Sequence, residues 1–220
     1  MRHWLRDHGL TLTMLGLFIV FWVGQSVTGM RSYNQDQLEH GEATVHYGAY
    51  LRTGHFVEAT FENWESEYLQ MGFYVLLTAF LYQRGSAESK DPDKPEPVDE
   101  DPRQHAGDPN APWPVRHGGF VLKIYQHSLG LTLMLLFLIS LVFHALGGAR
   151  EYSQEQMAHG GEAVSTLTFM GTAQFWFQSF QNWQSEFLAV ASLAWLSIFL
   201  RQRGSPESKP VAAPHSETGS

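Results

Sequence analysis

The sequence predicts an all-α integral membrane protein with four transmembrane helices, arranged as two parallel tandem helix–loop–helix repeats. Three observations support this fold class: four apolar blocks separated by polar segments, a gapless internal repeat, and an uneven distribution of Lys and Arg. Of the 220 residues, 44% are hydrophobic and 16% are charged, and the two kinds are segregated along the chain. Segregation of this kind is typical of membrane spans rather than of a soluble domain.

The internal repeat is visible in two motifs that recur 119 residues apart. The motif Asn63-Trp64-Glu65-Ser66-Glu67 returns as Asn182-Trp183-Gln184-Ser185-Glu186, and residues 83–90 return as residues 202–209. A match that extends this far without a gap indicates a duplication in which both halves keep one fold. Parallel repeats of two helices each predict a pseudo-two-fold axis along the membrane normal.

The apolar blocks and the polar segments between them define the predicted domain organisation. A first membrane repeat covers 1–90, with spans at about 10–30 and 64–83, and a linker covers 91–116. A second membrane repeat covers 117–209, with spans at about 124–148 and 183–202, and a tail covers 210–220. The first block follows a short basic segment, as in a signal peptide, but its counterpart lies in mid-chain, which favours retention of both. The linker and the tail are rich in Pro and polar residues, a composition that predicts disorder.

Lys and Arg placement predicts the orientation. Eleven of the 14 basic residues lie on the side of the termini and the linker, and Arg31, Arg52 and Arg150 lie on the other. The positive-inside rule therefore places both termini in the cytoplasm and the two loops of about thirty residues outside. Within these loops, residues 35–40 and 154–159 fit short surface helices. The aromatic residues of 56–64 and 169–183 fit helices in the interface that run into the next span, and the alternative is a re-entrant pore helix.

In the second span of each repeat, the run of apolar residues is too short to cross the hydrocarbon of a bilayer. Fifteen helical residues rise only about 22 Å against about 30 Å of hydrocarbon, so the helix must continue into the polar motif. This places a polar site at the membrane edge, with carboxylates that face a bundle interior or a wet cavity. Its members are Glu67, Glu186, Asn63, Asn182, Ser66 and Ser185. The alternative is that each Asn caps a helix and the acids lie in headgroup water.

Each Trp or His candidate has a structural interpretation as well as a functional one. Trp64 and Trp183 are most simply interfacial anchors. His8 and His127 are equivalent in the repeat and would suit a haem or a metal ion, or else they pack at helix ends. The outer loops hold further His and Glu residues that would suit a divalent ion or lie in solvent: His40, His46, His55, His159, Glu39, Glu42 and Glu58.

Several function classes are excluded or disfavoured by composition. The chain has no Cys, which excludes disulfides, thiolate metal sites and cysteine nucleophiles. A net charge of −8 leaves no basic groove for nucleic acid. No nucleophile–base pair, phosphate loop or dinucleotide motif is present, so we expect neither an enzyme nor a resident cofactor.

The paired motifs resemble those of a bacterial membrane-protein family described only as a domain of unknown function. The resemblance rests on Asn-Trp-x-Ser-Glu before a short span and Arg-Gly-Ser-x-Glu-Ser-Lys after it, and covers nearly the whole chain. It implies a location in the bacterial cytoplasmic membrane, and it implies no activity.

Three hypotheses for the function follow. The first is an accessory or interaction subunit in the lipid bilayer, with a membrane-protein partner or a second copy docked on the aromatic outer loops. The second is a small proton or cation conduit that uses Glu67 and Glu186. The third is a haem-binding electron carrier that uses His8 and His127.

Overall fold

A computed structural model describes residues 2–219, with side chains from His3 onward. The Arg2 side chain, which contributes to the predicted cytoplasmic charge, and the last residue of the predicted tail lie outside this description. Helices account for 66% of the chain, and the described residues form no strand. The fold is therefore all-α, as the sequence predicts.

Two long helices and two medium helices dominate the structure. In chain order the helices are α1 (Arg2–Asp7), α2 (Gly9–Glu39), α3 (Tyr47–Tyr50), α4 (Gly54–Leu77), α5 (Trp113–His117), α6 (Gly119–Tyr125), α7 (Ser128–Ala158), α8 (Thr166–Met170) and α9 (Ala173–Leu196). The start and end of α7 lie 119 residues after those of α2, and the same offset relates α9 to α4. This is the offset of the sequence motifs.

Each of the two long helices is followed, two residues after its end, by a glycine in the left-handed region. Gly41 has φ 76° and Gly160 has φ 82°, a conformation that favours glycine after a helix end. The helices run without a break to Glu39 and Ala158. The predicted separate surface helices over 35–40 and 154–159 are thus wrong: these residues form the last turns of α2 and α7.

Two helices, α2 and α7, are long and apolar enough to cross a membrane. Only 6% of the most apolar 18 residues of α2 are buried, so this helix presents a bare hydrocarbon surface that lipid would cover. Among the described helices α4 and α9 do not meet the same criteria of length and composition. That α4 and α9 also cross the membrane, as the four-span fold requires, therefore stays a prediction.

The chain divides into two compact units. The first contains the residues up to Phe61 together with Val142–Trp176, and it buries aromatic rings. Tyr50 and Phe56 pack with ring centres 5.5 Å apart, and their counterparts 119 residues later, Phe169 and Phe175, pack at 5.6 Å. Burial of such rings is the main apolar stabilisation of this unit.

The second unit contains Glu62–Leu141 and the residues from Phe177 onward. Its loops over 83–90 and 202–209 share one backbone arrangement. The Ser89 hydroxyl accepts from the Gln83 N–H, and the Ser208 hydroxyl accepts from the Gln202 N–H, each at 2.9 Å. In both loops a glycine at φ 86° follows the Arg. Lys209 is almost fully buried and donates to four backbone carbonyls, including that of Gly85 at 2.5 Å. Burial lowers the pKa of this ammonium group.

The predicted linker contains short local structure. It forms two 3-10 turns at Pro97–Asp99 and Pro102–His105, and an ion pair joins Lys90 to Asp99 at 2.5 Å. The last four residues of the predicted linker, 113–116, lie in α5. Disorder of residues 91–116 and of the tail stays a prediction.

Candidate functional site

The polar motif lies in the middle of its helix rather than at the start. Helix α4 begins at Gly54, where the Thr53 hydroxyl accepts from the Phe56 N–H at 3.2 Å. Helix α9 begins in the same way, with Thr172 accepting from Phe175 at 3.3 Å. A threonine at this position caps a helix N-terminus. The interpretation of the two asparagines as helix caps is therefore wrong, because each is preceded by two helical turns.

The first copy of the motif divides between the two sides of α4. Asn63 and Glu67 are exposed, whereas Ser66 is 1% exposed and donates to the backbone carbonyl of Asn63 at 2.8 Å. Trp64 is half-buried. Only Ser66 of the predicted first-repeat site residues thus lies in the interior.

The second copy of the motif differs from the first. Ser185 is exposed and donates to the Asn182 carbonyl at 2.8 Å, and Glu186 is partly buried. Glu186 and Glu67 lie close enough for a Coulombic repulsion between their carboxylates. The predicted pair thus interacts electrostatically at a partly solvated position of the second unit, and its role as a site stays a prediction.

Two carboxylates that were not among the predicted site residues belong to the site, one fully buried and one partly buried. Glu65 is fully buried and accepts a hydrogen bond from the indole N–H of Trp183 at 3.0 Å. Glu62 accepts from the side-chain amide of Asn182. Both contacts join α4 to α9 within the second unit, so the motif's Asn and Trp in one repeat hydrogen bond to acids of the other.

Trp183, predicted as an interfacial anchor, packs among aromatic rings of the second unit. Besides its hydrogen bond, its ring meets Phe180 and Phe137 edge-on, at centroid distances of 5.5 and 6.4 Å. These rings fix the indole plane and with it the direction of the N–H. Trp183 therefore orients a polar contact of the interior.

Helical periodicity in the sequence could have identified Glu65 and Glu62 as residues on the packed face of α4. Leu69 is buried, and the positions four and seven residues before it on the same helix face are Glu65 and Glu62. Continuing four residues further reaches Glu58, which is 7% exposed. The repeat comparison concealed this stripe, because the counterparts of the three acids are Phe177, Gln181 and Gln184.

The predicted haem ligands lie on exposed parts of the chain. His8 lies against Trp4 with ring centres 5.0 Å apart and ring planes inclined at 53°, and Nε2 of His127 lies 3.1 Å from the side-chain amide nitrogen of Gln126. Haem binding through the two histidines stays a prediction. Across residues 2–219, no three His, Asp or Glu side chains stand together as a ready-made metal site.

Chemically, the second unit presents acceptors for protons or small cations. Glu65 and Glu62 receive neutral donors, an indole and an amide, in the contacts described above. Carboxylate oxygens are the ligands that small hard cations prefer.

Comparison with known proteins identifies a family but assigns no activity. No curated protein and no solved structure is similar enough to match. A family model described as domain of unknown function DUF6766 matches residues 1–220. Because the match covers the whole chain, the protein is a member of the DUF6766 family.

Proposed function

We propose that the protein is a four-span protein of the bacterial cytoplasmic membrane, duplicated from one helix–loop–helix unit, with both termini in the cytoplasm. The equal offset of 119 residues in motifs and in helix bounds supports the duplication. The exposed apolar surfaces of α2 and α7 support membrane insertion. The excess of Lys and Arg on the side of the termini supports the orientation.

The function that this site supports best is the movement of protons or small cations through the helix interior. The observation that carries the proposal is the full burial of Glu65, against the indole of Trp183. Ionisable side chains inside membrane helices are costly, face the bundle interior, and mark ion or proton pathways. This proposal moves the centre of the conduit from Glu67 and Glu186 to Glu65 and Glu62.

A purely structural role does not require a carboxylate at position 65. The second repeat carries Gln184 at the equivalent position, and an amide oxygen accepts an indole N–H as well as a carboxylate oxygen does. Burying an acid costs more free energy than burying an amide. The acid is the better choice where the side chain must gain and lose a proton or hold a cation.

Flux measurements on purified protein in liposomes test the proposal. Wild type is expected to carry protons down an imposed pH gradient, or K⁺ or Na⁺ down an ion gradient. Glu65→Gln, which keeps the acceptor for Trp183 and removes the charge, is expected to reduce that flux by about tenfold or more, and Glu62→Gln is expected to reduce it as well.

Two controls separate the interior site from the partly solvated one. Gln184→Glu introduces an acid at the exposed equivalent position and is expected to leave flux unchanged. The double variant Glu67→Gln with Glu186→Gln tests the pair predicted from sequence. Wild-type flux no greater than that of empty liposomes, or full flux in Glu65→Gln, would refute the conduit.

The accessory-subunit hypothesis is supported by a different observation. Helix α9 presents aromatic side chains on its surface, with Phe177 68% exposed and Phe180 56% exposed. A patch of this kind suits lipid or another membrane protein. If wild type carries no ions and a stoichiometric partner is retained in gentle extraction from native membranes, the accessory role replaces the conduit.

A further inference from the structure

We propose that His40 and His159 bind one divalent transition-metal ion of the Zn²⁺, Cu²⁺ or Ni²⁺ class, joining the ends of α2 and α7. Both residues belong to the first compact unit, and they are equivalent in the repeat. The site is separate from the interior carboxylates, so the proposal does not depend on ion movement through the helices.

The two imidazoles face one groove. The groove has a volume of about 480 Å³ and is lined by the last turns of both long helices and the residues that follow them. The ring centres of His40 and His159 lie 6.4 Å apart, with the ring planes inclined at 71°. Both side chains are exposed, so an ion reaches them from solvent without opening the fold.

Hydrogen bonding fixes the tautomer that a metal requires. The Nδ1 atom of His40 lies 2.9 Å from the carbonyl oxygen of Asp36, and Nδ1 of His159 lies 2.8 Å from that of Glu155. A backbone carbonyl only accepts, so in both rings Nδ1 carries the hydrogen and the Nε2 lone pair is available. A ring N–H donated to a carbonyl is the usual second contact of a metal-binding histidine.

The separation of the rings suits one shared ion. A metal–nitrogen bond of about 2.0–2.1 Å places an ion roughly 3 Å from each ring centre, so two ligating rings have centres about 5–6.5 Å apart. The observed 6.4 Å falls at the open end of this range. Nitrogen ligands favour the later first-row metals.

The groove is negatively charged, which favours a cation. Its lining includes four carboxylates and, among the described residues, no Lys or Arg: Asp36, Glu42, Glu151 and Glu155 are the acids. One carboxylate oxygen of Glu151 is buried and has no hydrogen-bond partner. Because no three ligands stand ready-made in residues 2–219, the two histidines are the protein ligands and water or a groove carboxylate completes the coordination.

Metal titration of the full-length, tag-free protein tests the proposal. We expect wild type to bind one Zn²⁺ per chain in calorimetry. With Cu²⁺ as the probe, electron paramagnetic resonance should report two imidazole nitrogens. Each of His40→Gln and His159→Gln should weaken binding by at least the roughly 10–100-fold that loss of an outer-shell partner costs, because a direct ligand is removed.

A matched control uses a histidine of the same unit outside the groove. His46 caps α3 by accepting from the Ala49 N–H, and His46→Asn keeps a capping side chain while removing one imidazole. This variant should bind as wild type does. Absence of saturable binding, a Cu²⁺ spectrum with a single nitrogen, or unchanged affinity in the double variant His40→Gln with His159→Gln would overturn the site. The wild-type spectrum decides even where a variant does not fold.

Discussion

Helices α4 and α9 have the same length, the same threonine cap and the same motif, but they bury different side chains. Glu65 is fully buried in α4, whereas Gln184 at the equivalent position of α9 is exposed. Ser66 is 1% exposed and Ser185 is exposed. Two helices of equal length thus differ in their faces: α4 has a polar buried face, and α9 has an apolar exposed one.

The difference shows how a repeat acquires asymmetry without changing its helices. Phe177 of α9 is 68% exposed where α4 has the buried acid Glu58. Substitutions on one helix face alter what that helix packs against, while the caps and the glycine turns that set its length stay the same. The acids of α4 then need donors, and the Asn and Trp of the second motif supply them.

The largest expected effect concerns the close approach of α4 to α7. A Cβ at Gly147 would lie 2.5 Å from the backbone nitrogen of Glu58, and backbone atoms move only at high cost. Gly147→Ala should therefore lower the free energy of unfolding by about 1–3 kcal/mol or more, seen as a lower thermal midpoint in detergent. The first repeat has Thr28 at this position, so the requirement for glycine belongs to one copy only.

Gly16→Ala is the control, since nothing lies within 4 Å of a Cβ there. Its midpoint should stay the same or rise slightly, because alanine favours a helix over glycine. Equal destabilisation by both substitutions would mean that α4 and α7 are not in close contact at Gly147.

The second prediction compares the two copies of the motif directly. Glu65→Ala leaves the indole N–H of Trp183 without this acceptor in a buried position, at an expected cost of about 1–3 kcal/mol. Gln184→Ala, at the exposed equivalent, should change stability by less than about 0.5 kcal/mol. Denaturant titration followed by tryptophan fluorescence measures both; similar values for the two would remove the proposed asymmetry.

The smallest expected effect is the pH dependence that His55 contributes. Burial lowers the pKa of His55, whose Nδ1 lies 3.1 Å from the Tyr50 hydroxyl. The unfolded chain therefore binds more protons than the folded chain between the lowered pKa and the ordinary value near 6.5. Stability contributed by neutral His55 is fully present above that value and is lost as the pH falls towards the folded pKa.

Thermal midpoints between pH 8 and pH 5 check this dependence. His55→Gln introduces the residue type that the second repeat has at Gln174 and should reduce the loss of stability towards pH 5. Burial raises the pKa of Glu151 to about 7, and its contribution, which has the opposite sign, should remain in the variant. Parallel profiles for wild type and His55→Gln would assign the pH response to other groups.

Much of the fold follows from local sequence. The all-α class, the apolar character of α2 and α7, and the helix ends at Gly41 and Gly160 all rest on composition, on periodicity and on the conformational freedom of glycine. A helix running from residue 56 into the next span was predicted, and α4 begins at Gly54, two residues earlier. The cap by Thr53 at its start was not predicted.

The sequence by itself determined the duplication signal, the family and the helical class, because these depend on residue identity and on spacing along the chain. Tertiary structure decided which acid of the motif lies inside. Glu65 and Glu67 differ by two positions, and on a helix two positions turn a side chain to nearly the opposite face. Burial of Glu65 against Trp183 depends on which face of α4 packs against α9, a choice made by contacts between distant parts of the chain.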